Sequence, residues 1–141
     1  MFGRNNKLDT GWLASVKFFD GFSDSELSEV SQLGERTEAK AGDEIIDQGR
    51  VGEACYVIVE GTANVHIRGE YVASVGAGSM VGEMALVEHR PRNATVTAET
   101  DMVLVSFGNT EFRKLLDRSP NANERVLALL NARLRANEAR D

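Results

Sequence analysis

The chain carries Val81-Gly82-Glu83-Met84-Ala85-Leu86 and, four residues further on, Pro91-Arg92-Asn93-Ala94-Thr95-Val96. Gly82 lets the backbone approach a ligand closely, and the residues after it favour a helix, so a short helix is expected to begin here. The N-terminus of a helix presents N–H donors to an anion, and the Arg92 guanidinium can bind two phosphate oxygens at once. The two stretches therefore predict a pocket for a ribose-phosphate anion.

Glu83 is the acidic residue of this pocket. Its carboxylate would repel a phosphate, but it can accept a hydrogen bond from a sugar hydroxyl. We therefore expect Arg92 to bind the phosphate and Glu83 to bind the ribose hydroxyl. Each residue alone has an ordinary alternative, because Arg92 could form a surface ion pair and Glu83 could simply occupy the first turn of a helix. Their combination favours the ligand-binding interpretation.

The two stretches resemble the phosphate-binding cassette of the cyclic nucleotide-binding domain family, which occurs in bacterial catabolite activator proteins, protein kinase A regulatory subunits and cyclic-nucleotide-gated channels. Phe18-Phe19-Asp20-Gly21-Phe22-Ser23 resembles the entry segment of that family. Lys40-Ala41-Gly42-Asp43-Glu44-Ile45-Ile46 with Gly49, and Tyr56-Val57-Ile58-Val59-Glu60-Gly61, resemble its opening strands. The resemblance covers residues 17–135.

The resemblance implies a mainly β fold with flanking α-helices. This fold is an eight-stranded β-roll (jelly roll) with N-terminal helices, a short helix in the phosphate-binding cassette and C-terminal helices. In the implied site, Glu83 contacts the ribose hydroxyl and Arg92 the cyclic phosphate. Backbone near Met84 and Ala85 completes the contact, and Gly82 leaves room for the phosphate. The implied ligand is cAMP or cGMP, and no metal is implied.

Asn93 departs from the family pattern. The residue after the arginine is usually alanine, serine or threonine there, and a hydroxyl at this position is associated with a preference for cGMP. Asparagine brings both a donor and an acceptor, so it could contact a phosphate oxygen or a purine edge, or it could crowd the base. Family frequency favours cAMP over cGMP.

Composition limits the other classes of protein. With 141 residues the chain is expected to form one domain with a single core. Acidic residues outnumber basic ones, 22 against 16, and the net charge of −6 disfavours nucleic acid or an anionic membrane as a partner. No apolar run is long enough for a membrane span or a secretory signal, so a cytoplasmic location is expected. Cys55, the single cysteine, is expected to be a small buried hydrophobe.

The period of the apolar residues divides the chain into three segments. Residues 1–34 are expected to form an N-terminal helical segment. Residues 35–107 contain short runs with a period of two, separated by glycines, which is typical of a sandwich, barrel or jelly roll. They are expected to form the cyclic nucleotide-binding β-roll, with the cassette at residues 81–96. Residues 108–141 are expected to form C-terminal lid or dimerisation helices.

Local signals predict where individual helices begin and end. One amphipathic helix is predicted before Gly21, from apolar residues at spacings of four, four and three: Leu8, Trp12, Val16 and Phe19. Ser23-Asp24-Ser25-Glu26 reads as a capping box that starts a second helix, which Gly34 ends. Thr110 is expected to cap a further helix, and Ser119-Pro120 to end it and start the last one.

The last helix is expected to act as a lid. In the family it moves toward the bound base, which here would place Leu130, Arg133 and Leu134 over the purine. Leu127, Leu130 and Leu134 also have the spacing of a short coiled-coil seam. A homodimer through this helix and packing within one chain both remain open.

The expected function is a sensor that passes ligand binding on through movement of its last helix. The chain ends at Asp141 without room for a helix-turn-helix, so direct DNA binding is not expected. The effector is then expected to be an unidentified partner protein, or another part of a longer protein.

Other classes of function remain as alternatives. Catalysis is not expected, because no serine or cysteine has an assembled base beside it in a recognised motif. A cupin-like metal enzyme is the weaker alternative, since His66 and His89 are the only histidines and lie on different elements. The stronger alternative is a ligand-independent interaction module, in which Asn93 leaves the pocket unable to bind nucleotide.

Overall fold

The computed structural model describes residues 8–46, 54–82 and 94–140, and within the last helix it describes the side chains up to Ala132 and that of Arg135. The helices are α1 (Thr10–Ala14), a 3₁₀ helix (Lys17–Phe19), α2 (Asp24–Leu33), α3 (Asn109–Arg118) and α4 (Pro120–Arg140). The strands are β1 (Glu35–Ala39), β2 (Glu44–Ile46), β3 (Ala54–Glu60), β4 (Ala63–Ile67), β5 (Glu70–Val75), β6 (Met80–Val81), β7 (Thr95–Ala98) and β8 (Met102–Gly108).

Eight strands form two antiparallel sheets in the part of the chain that the structure describes. The first sheet has the order β1-β8-β3-β6, and the second has the order β2-β7-β4-β5. The chain crosses repeatedly from one sheet to the other, as it does between β3 and β4. The expected fold class, a mainly β roll with flanking helices, is confirmed.

Two groups of buried side chains lie on opposite faces of the first sheet. The helix-side core fills the space between this sheet and the helices and consists of Leu8, Leu13, Val16, Phe18, Phe19, Phe22, Leu27, Val30, Cys55, Val57, Met80, Val105, Phe107, Phe112, Leu115, Ala122 and Val126. The inter-sheet core lies between the two sheets and consists of Ala39, Ile45, Ile46, Ile58, Ala63, Val81, Val96, Ala98, Met102 and Leu104. The first sheet is therefore the middle layer of three. Cys55 is buried, as expected.

The prediction of one continuous helix before Gly21 is wrong. The helix α1 ends at Ala14, the Ser15 hydroxyl donates to the Trp12 carbonyl oxygen (2.6 Å), and Val16 is extended before the 3₁₀ turn begins. This local hydrogen bond competes with continuation of the helix. Most of the predicted apolar stripe is buried all the same, because the turn directs Val16 and Phe19 back into the helix-side core.

The second helix begins and ends where the sequence predicts. The Ser23 hydroxyl accepts from the Glu26 N–H (3.1 Å), and the Glu26 carboxylate accepts from the Ser23 N–H (2.9 Å), so the capping box is complete. Gly34 follows α2, and a Cβ there would lie 2.9 Å from the ring of Phe107. A glycine therefore lets the chain turn from α2 into β1 against the first sheet.

The predicted N-cap of the next helix lies two residues too far along the chain. Strand β8 runs to Gly108, which is the N-cap of α3, so Thr110 lies in the first turn instead of capping it. The extended backbone of Gly108 leads directly into the helix, which has no side-chain cap because glycine carries no side chain. The predicted break at Ser119-Pro120 is confirmed, since α3 ends at Arg118 and α4 begins at Pro120.

Candidate functional site

The cassette is bracketed by two short strands. Strand β6 ends at Val81 on the edge of the first sheet, where it pairs with β3. Strand β7 begins at Thr95 inside the second sheet, between β2 and β4. The intervening segment therefore connects the two sheets. Glu83, Met84, Ala85, Arg92 and Asn93, and the short helix expected among them, lie outside the described residues and stay predictions.

Gly82 is the described residue at the start of this segment. Its φ of +89° lies in the left-handed region, which residues other than glycine rarely adopt. A turn directly after β6 therefore requires glycine at this position. Its second expected role, a close backbone approach to the phosphate, stays a prediction.

Partly exposed apolar side chains stand beside both ends of the cassette. Tyr56 is paired with Val81 at one end, and Val65 is paired with Val96 at the other. Tyr56, Val65 and Val75 pack against the inter-sheet core while keeping part of their surface exposed. In the sequence these residues belong to runs with a period of two, and no local pattern marks them as part of a site.

The expected lid residues lie on α4. Leu130 is partly buried against the helix-side core, whereas the side chains of Arg133 and Leu134 lie outside the described part of the chain. Two residues of the expected coiled-coil seam differ in burial, because Leu127 is 51% exposed whereas Leu130 packs on the core. Contact of Leu130 with a purine stays a prediction.

A buried acidic group joins α2 to the start of α4. Glu26 is 6% exposed, and each of its carboxylate oxygens accepts two hydrogen bonds. Burial by itself raises the pKa of Glu26, but hydrogen bonds from Ser119, Ser23 and Asn121 outweigh burial and lower the pKa to about 2. Glu26 is therefore a carboxylate at neutral pH. The sequence identified its capping role but not these distant contacts.

Arg125, one turn further along α4, contacts residues 18–22 of the N-terminal segment. Its guanidinium donates to the carbonyl oxygens of Phe18 and Asp20. It also lies over the rings of Phe18 and Phe22, with centroid distances of 5.8 and 5.6 Å. No local pattern predicts this contact, because the partners lie 107 and 105 positions away in the sequence.

Neither a metal centre nor a membrane span is found in the described residues. No group of three or more His, Cys, Asp or Glu side chains there could hold a metal ion. No helix within residues 8–46, 54–82 and 94–140 has the length and apolarity required to cross a membrane.

Comparison with known proteins finds a consistent set of relatives. A family model of the cyclic nucleotide-binding domain matches residues 36–119. The cGMP-dependent protein kinase of Toxoplasma gondii is 36% identical over 115 residues, which are 82% of this chain and 11% of the kinase. The catabolite activator protein of Thermus thermophilus has a TM-score of 0.75 at 27% identity, over 88% of this chain and 61% of that one. The regulatory subunit of a cAMP-independent protein kinase A from Trypanosoma brucei has a TM-score of 0.69 at 28% identity, over 77% of this chain and 40% of that one.

The chain spans about a tenth of the length of the kinase that it matches (11%). The family match, in contrast, covers more than half of this chain and includes the whole cassette at residues 81–96. The eight described strands in two antiparallel sheets and the flanking helices agree with that match. The chain belongs to the cyclic nucleotide-binding domain family.

Proposed function

We propose that this chain is a regulatory domain that binds a cyclic nucleotide at residues 81–96. The family match over residues 36–119 carries this proposal. The connection between β6 and β7 supports it, because a segment that joins the two sheets can form a pocket at the edge of the roll. The partly exposed apolar side chains of Tyr56 and Val65 offer a surface of the kind that a purine base requires.

Within this pocket we assign different roles to the charged residues. Arg92 binds the cyclic phosphate through two parallel hydrogen bonds, and Glu83 accepts from the ribose hydroxyl. Gly82, Met84 and Ala85 contribute backbone, and Asn93 contacts the phosphate or the base. We favour cAMP as the ligand. The alternative ligand is cGMP, because the Toxoplasma gondii relative is named as a cGMP-dependent kinase.

The response to the ligand is proposed to pass through α4 to an effector protein in the cytoplasm. Leu130, Arg133 and Leu134 would cover the base, so the ligand would stabilise one position of the helix over another. The role is regulatory and not catalytic, and it involves neither DNA nor a membrane. We expect any homodimer to form through α4, where Leu127 is exposed.

Calorimetric titration of a matched pair of variants tests the site. Arg92→Ala should weaken cyclic nucleotide binding by about 2–5 kcal/mol, because it leaves a buried phosphate without its cationic partner. Arg118→Ala removes the same charge from the end of α3, where Arg118 pairs with Glu29 (3.1 Å), and should leave the affinity unchanged. Equal affinities for the two variants would contradict the assignment of Arg92.

A ligand-independent interaction module is the second candidate. The specific observation in its favour is that the Trypanosoma brucei relative is described as part of a cAMP-independent kinase. In that case Asn93 would block the pocket of this chain. Asn93→Ala would then gain binding that the unmodified protein lacks, whereas the first proposal expects the unmodified protein to bind.

A further inference from the structure

The junction between α3 and α4 consists of Ser119 and Pro120, the kind of helix boundary that often acts as a hinge. Here Ser119 and the neighbouring Asn121 are both hydrogen-bonded to Glu26 of α2. The Ser119 hydroxyl donates to Glu26 Oε2 (2.5 Å), and the Asn121 N–H donates to the same oxygen (3.0 Å). The Ser119 oxygen in turn accepts from the Ala122 N–H (3.1 Å) and caps α4.

The other oxygen of Glu26 completes the connection. Glu26 Oε1 accepts from the Asn121 side-chain amide (2.7 Å) and from the backbone N–H of Ser23 (2.9 Å). One buried carboxylate therefore binds the N-termini of two helices. Hydrogen bonds to a charged acceptor are stronger than those between neutral groups, and losing this acceptor would leave one buried donor and three partly buried donors unsatisfied.

Contacts further along α4 extend the fastened region as far as Leu130. Arg125 donates to carbonyl oxygens of the N-terminal segment, Val126 is buried, and Leu130 packs on the helix-side core. Of the side chains described beyond Leu130, those of Asn131, Ala132 and Arg135 are exposed. Residues 120–130 therefore form the anchored part of α4.

We propose that the Glu26 carboxylate locks the α3–α4 junction, so that α2, the junction and the anchored part of α4 respond to a ligand as one body. The lock then prevents bending of α4 at Ser119-Pro120. The ligand response in this inference rests on the proposed function, whereas the lock itself does not. Glu26 acts here as a positioning residue, because it holds the helix and has no assigned contact with the nucleotide.

Amide hydrogen exchange, measured residue by residue by NMR, tests the lock without ligand. Glu26→Gln should speed exchange at Asn121 and Ala122 about tenfold to a hundredfold relative to the β8 amide of Val105, because their acceptors are lost or displaced. Glu29→Gln is the matched control, since Glu29 lies on the same helix and pairs with Arg118 at the surface (3.1 Å). It should leave both amides unchanged.

A second variant covers the case in which Glu26→Gln does not fold. Ser119→Ala removes one donor to Glu26 and the cap of Ala122, and should speed exchange at Ala122 in the same way. Rapid exchange at Asn121 and Ala122 in the unmodified protein, or an unchanged rate in both variants, would overturn the lock.

The ligand arm uses saturating cAMP, with binding checked separately by calorimetry. In the unmodified protein, residues 117–126 should show no change in protection beyond the general slowing seen at Val105. In Glu26→Gln, the nucleotide should change the protection of residues 117–126. A nucleotide-dependent change at residues 117–126 of the unmodified protein would overturn the inference. Absence of calorimetric binding would count against the proposed function, and the comparison without ligand would still decide whether the lock exists.

Discussion

Val57 and Ile58 are neighbours in β3, and both are fully buried, yet they belong to different cores. Val57 faces the helices and Ile58 faces the second sheet. The alternation of side chains along β3 therefore does not separate a buried face from a solvent-exposed one. It separates two apolar faces, because the first sheet is the middle layer of the domain.

Substitution of either residue should destabilise the fold. Ile58→Ala should lower the free energy of unfolding by about 2–5 kcal/mol, since it leaves a cavity between two packed layers. Val57→Ala should act in the same direction. Leu127→Ala is the control, because Leu127 is 51% exposed and its truncation should change stability by no more than about 0.5 kcal/mol. Denaturant unfolding measures all three, and a tolerant Val57 or Ile58 would contradict the layered arrangement.

The pKa of Glu26 predicts how stability depends on pH. Its folded pKa of about 2 lies below the ordinary value of 4.5, so its contribution is fully present above pH 4.5 and is lost as the pH falls toward 2. A pKa lowered from 4.5 to about 2 corresponds to an expected contribution of about 3 kcal/mol at neutral pH. Glu26→Gln should therefore lose stability at neutral pH and show a flatter decline in acid.

Denaturant unfolding of Glu26→Gln and Glu29→Gln across this acid range isolates the effect of Glu26. Both variants remove one negative charge from α2, but only Glu26 is buried. Profiles that stay parallel to that of the unmodified protein in both variants would show that the hydrogen bonds to Glu26 contribute nothing to the acid transition.

Two glycines separate the effect of backbone strain from that of a steric clash. Gly42 (φ +94°) has open space where a Cβ would be, whereas a Cβ at Gly61 (φ +96°) would lie 2.5 Å from the Asp101 carbonyl oxygen. Gly42→Ala should cost about 1–2 kcal/mol for the left-handed backbone alone. Gly61→Ala should cost clearly more, and thermal or denaturant unfolding that gives equal losses would argue against the close packing of the turn at Gly61.

Local signals in the sequence were sufficient for many elements of the fold. The capping box of Ser23 and Glu26 spans four positions, and the break at Ser119-Pro120 spans two, so each can be recognised within one short window. The break after Ala14 was missed, since the apolar spacing continued through it and the Ser15 hydrogen bond is not visible in a pattern of apolar residues.

Contacts between distant parts of the chain could not be predicted. Glu26 reaches Ser119 across 93 positions, and only the folded arrangement of α2 and α4 brings the two together. The different burial of Leu127 and Leu130 has the same origin, because the two residues look equivalent in the sequence. For the site itself, Gly82 has a conformation that requires glycine, and the roles of Glu83 and Arg92 remain predictions.

The most direct test of the proposed function is calorimetric titration of the unmodified protein, free of co-purified nucleotide, with cAMP, cGMP and 5′-AMP. We predict saturable binding of one cyclic nucleotide per chain, tighter for cAMP than for cGMP and much weaker for 5′-AMP, whose phosphate carries an additional charge and is not closed onto the ribose. Absence of binding to all three by protein shown to be folded would contradict the central claim, and would leave the ligand-independent interaction module as the function of this domain.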